Sequence, residues 1–222
     1  MISVAIDGPS GAGKSSLAKR LARELGYIYV DTGAMYRSIG LYALRMGVEP
    51  HDAAAVEKLL SAIRLRIDIL EGAQHIYLNG EDVSEAIRRE EVGMAASAVA
   101  TIPAVRAFLL DLQRGMAKTQ NILMDGRDIG TVILPDATVK IFLTASPEAR
   151  ARRRMKELVE KGQETTFEQV LEDIKARDYQ DTHRETAPLR QAEDAVLADT
   201  SELTFEESFR LLMGIIAEKS GC

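Results

Sequence analysis

The run Gly8-Pro9-Ser10-Gly11-Ala12-Gly13-Lys14-Ser15 constrains this chain more than any other feature. Its glycines break regular structure and let successive backbone N–H groups turn toward one centre. An apolar, β-branched stretch, Ile2–Asp7, stands before it. After it, Leu17, Leu21 and Leu25 recur at four-residue spacing within Gly13–Leu25. A buried strand feeding a tight loop and then an amphipathic helix makes an anion cradle, because the helix N-terminus adds partial positive charge to the loop's donors. The run satisfies G-x-x-x-x-G-K-[ST] in the context that gives this pattern its meaning. Lys14 is placed to reach β- and γ-phosphates and the Ser15 hydroxyl to meet Mg²⁺. The donor-binding run is Gly8, Pro9, Ser10, Gly11, Ala12, Gly13, Lys14, Ser15 and Ser16, and the expected ligand is ATP with Mg²⁺.

Four more short apolar runs predict buried parallel strands: Tyr27–Asp31, Asn121–Asp125, Val139–Thr144 and Ala195–Asp199. Helical patterns alternate with them. Ser146-Pro147 reads as an N-cap followed by proline at the first helical position. Thr204-Phe205-Glu206-Glu207 reads as a capping box opening a helix near 204–219, with Phe205, Phe209, Leu212, Met213 and Ile216 as its apolar stripe. The alternation predicts an α/β fold. One stretch breaks it. Leu65–Ile69 and His75–Leu78 alternate apolar and polar residues, with Gly72 between them and Asn79-Gly80 after them. That predicts a small antiparallel sheet with one face to water, inserted at roughly 59–97. A second irregular piece is expected at Arg150–Lys161, where Arg150, Arg152, Arg153, Arg154, Lys156 and Lys161 stand against Glu157 and Glu160.

Composition removes several classes. With 222 residues, 46% of them hydrophobic, the chain can bury a core without staples. Its one cysteine, Cys222, permits no internal disulfide and suggests a reducing compartment. A net charge of -6, no Trp and 5% aromatics argue against a nucleic-acid partner. No positive charge precedes Lys14, so a signal peptide is not expected, and apolar stretches such as Leu211–Ala217 are too short to span a bilayer. The expectation is a cytoplasmic protein without a membrane partner, and a monomer, since no long heptad or apolar interface stripe is visible. His51, His75 and His183 read as solvated, and no His, Cys and acid spacing suggests zinc. The two asparagines, Asn79 and Asn121, are not followed by Lys, so the N-K-x-D signature of guanine switches is missing.

Transfer of phosphoryl between two polyanions needs clustered positive charge, and arginine's planar fork suits it. Asp31-Thr32-Gly33-Ala34-Met35-Tyr36-Arg37 and Asp125-Gly126-Arg127-Asp128-Ile129-Gly130-Thr131 each follow a predicted strand. Both therefore fall at carboxyl ends of parallel strands, the edge where open α/β sheets bind ligands.

These two motifs, the cradle and the segment Arg177–Arg184 within I-K-A-R-D-Y-Q-D-T-H-R together resemble the bacterial cytidylate kinase family of P-loop nucleoside monophosphate kinases. The resemblance covers almost the whole length. It implies a P-loop NTPase-type five-stranded parallel sheet of order 2-3-1-4-5, flanked by helices, in one domain whose core is about 1–58 and 98–222. It also implies that the 59–97 insert binds the monophosphate and that a short basic lid lies at about 150–163. The reaction it implies is γ-phosphoryl transfer from ATP to CMP or dCMP, giving ADP and CDP or dCDP. Residue by residue, it assigns Thr32, Arg37 and Arg127 to the acceptor phosphate. Ser97, Arg106 and Asp128 fall to the cytosine ring, and Arg177 and Asp181 to the ribose. Lys14, Arg127, Arg154 and Arg184 are the expected catalytic groups. Asp125, ending an apolar strand, resembles a Walker-B acid that orients the Mg²⁺ shell through water.

Two other readings stay open at this level. A kinase acting on a hydroxyl, such as that of shikimate or a nucleoside, needs a base, and Asp128 would fill that role. A nucleotide-dependent switch or binding module would use the same cradle without an acceptor.

Overall fold

The structure is a computed structural model that describes residues 1–70, 73–160 and 162–221. Gly72 in the expected turn, Lys161 of the basic stretch and Cys222 lie outside the described residues. The five expected core strands form as β1 (Ser3–Asp7), β2 (Ile28–Asp31), β6 (Ile122–Gly126), β7 (Val139–Thr144) and β8 (Val196–Asp199). They make one sheet in the order β2-β6-β1-β7-β8. Counting core strands alone, that is the order 2-3-1-4-5. β7 runs parallel to β1, with Ile6 opposite Ile141, and parallel to β8, with Leu143 opposite Ala198. Val4, Ala5 and Ile6 of β1 and Ile141 and Leu143 of β7 are all inaccessible, and Lys140, the buried charge of β7, is paired with Asp194.

The chain divides into two compact units. One comprises Tyr27–Ile122, with Met1. It holds β2, α2 (Thr32–Arg45), α3 (Ala53–Leu60), an antiparallel sheet, α4 (Glu90–Val99) and α5 (Pro103–Met116). The antiparallel sheet has the order β3-β4-β5, from β3 (Leu65–Leu70), β4 (Ala73–Leu78) and β5 (Glu81–Asp82). Its two faces differ as the alternation predicts. Ile76 and Leu78 are buried, while Arg66 stacks on Tyr77 and pairs with Asp68 on the other side. Asn79 and Gly80 both take positive φ, 51° and 92°, the pairing a type I′ turn demands between β4 and β5. Helix α2 packs on α4 at Gly40, where an added Cβ would come within 3.0 Å of Ala95.

The other unit comprises Ile2–Gly26 and Leu123–Cys222. It holds β1, α1 (Lys14–Leu25), most of β6, β7, α6 (Pro147–Glu160), α7 (Phe167–His183), β8 and α8 (Phe205–Ser220). Both caps read from sequence are present. Ser146 Oγ accepts from the Ala149 N–H, and Thr204 and Glu207 close a capping box on α8. The basic stretch differs from expectation. It is not irregular but part of the regular helix α6, because Ala149, Ala151 and Leu158 give it a buried face. Ala151 and Leu158 pack with Val170 and Ile174 of α7 in a small core of their own. Among the described residues no single helix is long and apolar enough to cross a membrane.

Candidate functional site

The cradle begins where β1 ends. Gly8 passes so close to β7 that a Cβ there would sit 1.9 Å from the Leu143 carbonyl oxygen. Only glycine fits, and the chain then bends around to Gly13, the N-cap of α1. Lys14, the first residue of α1, is buried, and its ammonium donates to the Pro9 carbonyl at 2.7 Å. Burial pushes the Lys14 ammonium well below its ordinary value and the Arg127 charge adds to this. The carboxylates of Asp125, Asp181 and Asp7 oppose it. A polyphosphate entering the cradle brings the negative charge that favours the protonated amine. The Ser15 hydroxyl donates to Asp125 Oδ2 at 2.8 Å, so the last buried acid of β6 meets the cradle's hydroxyl directly.

Around these groups the same unit assembles charges of both signs. Arg127 Nε donates to Asp181 Oδ2 at 2.7 Å. Burial works to raise the Asp181 carboxyl, but Arg127, Arg184 and Lys14 together hold it below the usual range. The Arg184 guanidinium lies 3.7 Å from Asp128 and 4.0 Å from Asp181. Residues of the segment after β6 are thus cross-paired with α7 and its C-cap, Arg127 with Asp181 and Asp128 with Arg184. Arg177 is half-buried on the same helix. Arg154 is not drawn into this cluster; on α6 it pairs with Glu157 at 3.2 Å.

In the other unit, Asp31 caps α2 by accepting from the Ala34 N–H and holds Arg37 Nη2 at 2.7 Å. The Arg37 Nε is buried without a hydrogen-bond partner among the described residues, a donor available to an anion. Thr32, the first residue of α2, is buried. Arg106 is buried on α5, donates to the Ala100 carbonyl and lies 5.7 Å over the Tyr36 ring. Ser97 is half-buried on α4, its hydroxyl donating to the Gly93 carbonyl at 3.4 Å.

Three participants were not read from sequence. Asp7 ends β1, and its two carboxylate oxygens each accept at 2.7 Å, from the N–H groups of Ile129 and Gly130. Burial raises its pKa to about 6, with Asp128 adding to the rise, and the two N–H groups and Lys14 working against it. It thereby ties the strand before the cradle to the segment that carries Arg127 and Asp128. Gln74 of β4 pairs its side-chain amide with the backbone of Asp31, accepting from the N–H at 2.8 Å and donating to the carbonyl at 3.3 Å. Arg150, read only as one charge of the basic 150–161 stretch, is 2% exposed and bonded to Asp178. Its two alanine neighbours, Ala149 and Ala151, were the available sign that this turn of α6 faces inward.

Comparison with known proteins agrees over the full length. Residues 4–218 match the family model described as cytidylate kinase. A cytidylate kinase of Caldicellulosiruptor bescii is 50% identical over 206 residues, 93% of this chain and 91% of that one. A cytidylate kinase of Mycobacterium leprae is 50% identical over 221 residues, 99% and 97% of the two chains. Among solved structures, a gluconokinase of Sinorhizobium meliloti has the same fold, with a TM-score of 0.50, 14% identity, and 99% of this chain and 94% of that chain covered. An uncharacterized protein of Eubacterium ventriosum does so with a TM-score of 0.52, 12% identity, and 97% and 98% covered.

Proposed function

The chain belongs to the cytidylate kinase family, and from that premise we propose that it transfers the γ-phosphoryl group of ATP to CMP or dCMP, giving ADP and CDP or dCDP. The observation that carries this reading is the Gly8–Ser15 cradle, with Lys14 and Asp125 set among Arg127, Asp128, Asp181 and Arg184. The 5′-phosphate of CMP is already a nucleophile near neutral pH, so no general base is needed and the protein's work is orientation and charge stabilisation. That favours this reading over a hydroxyl-directed kinase. The Arg184 guanidinium lies 3.7 Å from Asp128, so that carboxyl faces a cation.

In this account Gly8 to Ser16 hold the ATP phosphates, and Lys14 follows the charge that develops on the transferring group. Ser15 and Asp125 would hold Mg²⁺, Ser15 directly and Asp125 through water. A hydroxyl and a carboxylate are the hard oxygen donors this ion takes, with most of its shell left to phosphate and water. When bound, the ion neutralises charge between the β- and γ-phosphates. Thr32, Arg37 and Arg127 take the acceptor phosphate, and the unpartnered Nε of Arg37 supports its assignment. Ser97, Arg106 and Asp128 read the cytosine ring; a carboxylate that only accepts suits N4, and a guanidinium that only donates suits N3. Arg177 and Asp181 take the ribose. Arg154 and Arg184 meet the phosphoryl group in transit. The 59–97 segment serves the monophosphate and the 150–163 segment serves as a lid within one kinase domain. The chain works as a cytoplasmic monomer in pyrimidine nucleotide metabolism.

An ADP-release assay across CMP, dCMP, UMP and hydroxyl acceptors tests this. Turnover that requires CMP or dCMP, exceeding UMP by about tenfold to several hundredfold, is expected from two mismatched buried hydrogen bonds. Turnover with a sugar or shikimate hydroxyl, or acceptor-independent hydrolysis, would overturn it.

A further inference from the structure

Arg150 sits in the first turns of α6 and gives four hydrogen bonds to protein. Its Nε donates to the Ala145 carbonyl at 2.8 Å, and Nη1 to the Ser10 carbonyl at 3.0 Å. Nη1 and Nη2 grip Asp178 Oδ1 and Oδ2 at 2.9 and 2.5 Å. These acceptors belong to three segments: the end of β7, the phosphate cradle and helix α7. Its neighbours Arg152, Arg153 and Arg154 are exposed or half-buried, whereas its own side chain is 3% exposed. A buried ion pair is a weak device for stability, because desolvation offsets the attraction and apolar groups of similar volume often do as well. What this pair supplies is geometry: a rigid planar fork that sets three backbone segments in one register.

The register matters because of what α7 carries. Asp178 is flanked on that helix by Arg177 and Asp181, with Arg184 one turn beyond Asp181. Asp181 holds Arg127 and Arg184 faces Asp128. The cradle is in contact with the same arginine, since an added Cβ at Gly11 would lie 3.4 Å from the Arg150 Cβ. Helices α6 and α7 share their own apolar core, joined by Met155, Phe167 and Leu171, and the Arg150–Asp178 pair joins them at the cradle end. We infer that Arg150 and Asp178 are positioning residues for phosphoryl transfer: they touch no nucleotide, but fix the cradle against the α7 groups that meet the acceptor and the phosphoryl group. This rests on the kinase reading above.

Asp178→Asn and Arg150→Lys, singly and together, test it. Asn replaces one carboxylate oxygen by an N–H₂ that opposes the guanidinium. Lys keeps the charge but, as a point donor, cannot serve three segments at once. Well below each variant's melting temperature, kcat with CMP should fall about tenfold or more, while KM for ATP and for CMP stays within about threefold, as misplacement of reacting groups predicts. The double variant should be about as impaired as either single variant, because the pair acts as one unit. Amides of Gly8–Ser15 should exchange faster in both single variants without any nucleotide, while those of β7 stay protected. A kcat within about twofold of wild type with only a lower melting temperature, or cradle exchange unchanged, would overturn the inference and leave a purely structural pair. If Asp178→Asn does not fold, Arg150→Lys alone decides by the same readouts. Wild type lacking CMP-dependent turnover would sink the kinase reading instead, and the exchange result would still judge the clamp.

Discussion

Replacing Gly8 by Ala should damage this protein far more than the same change at another glycine with positive φ. The added Cβ would stand 1.9 Å from the Leu143 carbonyl oxygen, where such atoms essentially never approach within 3.0 Å. The backbone must therefore open by at least 1.1 Å, the difference between those two distances. Leu143 cannot retreat cheaply, because β7 is bonded to β1 on one side and to β8 on the other. Overpacking of a rigid core costs about 1–3 kcal/mol, and positive φ in a residue with a side chain adds about 1–2 kcal/mol. Gly8→Ala should thus lose about 2–5 kcal/mol, which for a chain of this size lowers Tm by about 4–20 °C. Gly80→Ala is the control: φ is 92° but nothing lies within 4 Å, so only the strain remains, about 1–2 kcal/mol. Thermal and urea unfolding of both variants, with turnover on CMP, gives the comparison. Gly8→Ala should also lose turnover, since Pro9 supplies the carbonyl that Lys14 holds. Equal melting temperatures for the two variants would refute the argument that the β1–β7 approach sets the cradle's shape.

Further expectations concern single groups. Lys14→Ala should leave the fold intact and lower kcat on the order of 100-fold or more in steady-state assays, because it removes charge stabilisation specific to the transition state; near wild-type turnover would refute its role. Asp128→Ala should impair CMP much more than UMP, whereas Arg127→Ala should impair both about equally, as the ratio of kcat/KM values will tell; full CMP preference in Asp128→Ala would contradict the base assignment. The Asp7 carboxyl, raised from 3.8 to about 6, binds its proton more tightly in the folded state, so stability should fall as pH rises through that window and level off above it. A rise of that size corresponds to about 3 kcal/mol. Urea unfolding of wild type and Asp7→Asn at several pH values between about 4 and 7 should show that slope in wild type alone. Identical pH profiles would mean that Asp7 titrates normally.

The strands were legible because each is a continuous apolar run between turn residues, and all five end within one residue of expectation. The antiparallel insert was legible for the complementary reason: Leu65–Leu70 and His75–Leu78 alternate, and Asn79-Gly80 can close only one kind of turn. The stretch around Arg150 was misread because its charges hide a helical face made of small residues, Ala149 and Ala151, and a distant Leu158. Arginine is itself a good helix former, so nothing local broke the helix. The cradle was legible from its spacing and the strand before it, whereas Asp125 was singled out only by resemblance and its contact with Ser15 is visible only in the structure. What spacing could not give was the pairing across sequence separations of 28 to 122 residues: Arg150 with Asp178, Arg127 with Asp181, Asp7 with Ile129. Such contacts depend on how helices and loops meet at the sheet edge, and the side chains involved look like ordinary surface charges until burial is known.

Label transfer from [γ-³²P]ATP to CMP tests the central claim most directly. The account predicts that, with Mg²⁺ and CMP present, the label appears in the β-phosphate of CDP in step with ADP, and that omitting CMP nearly abolishes its release. Label appearing instead as inorganic phosphate at the same rate with or without CMP would contradict it.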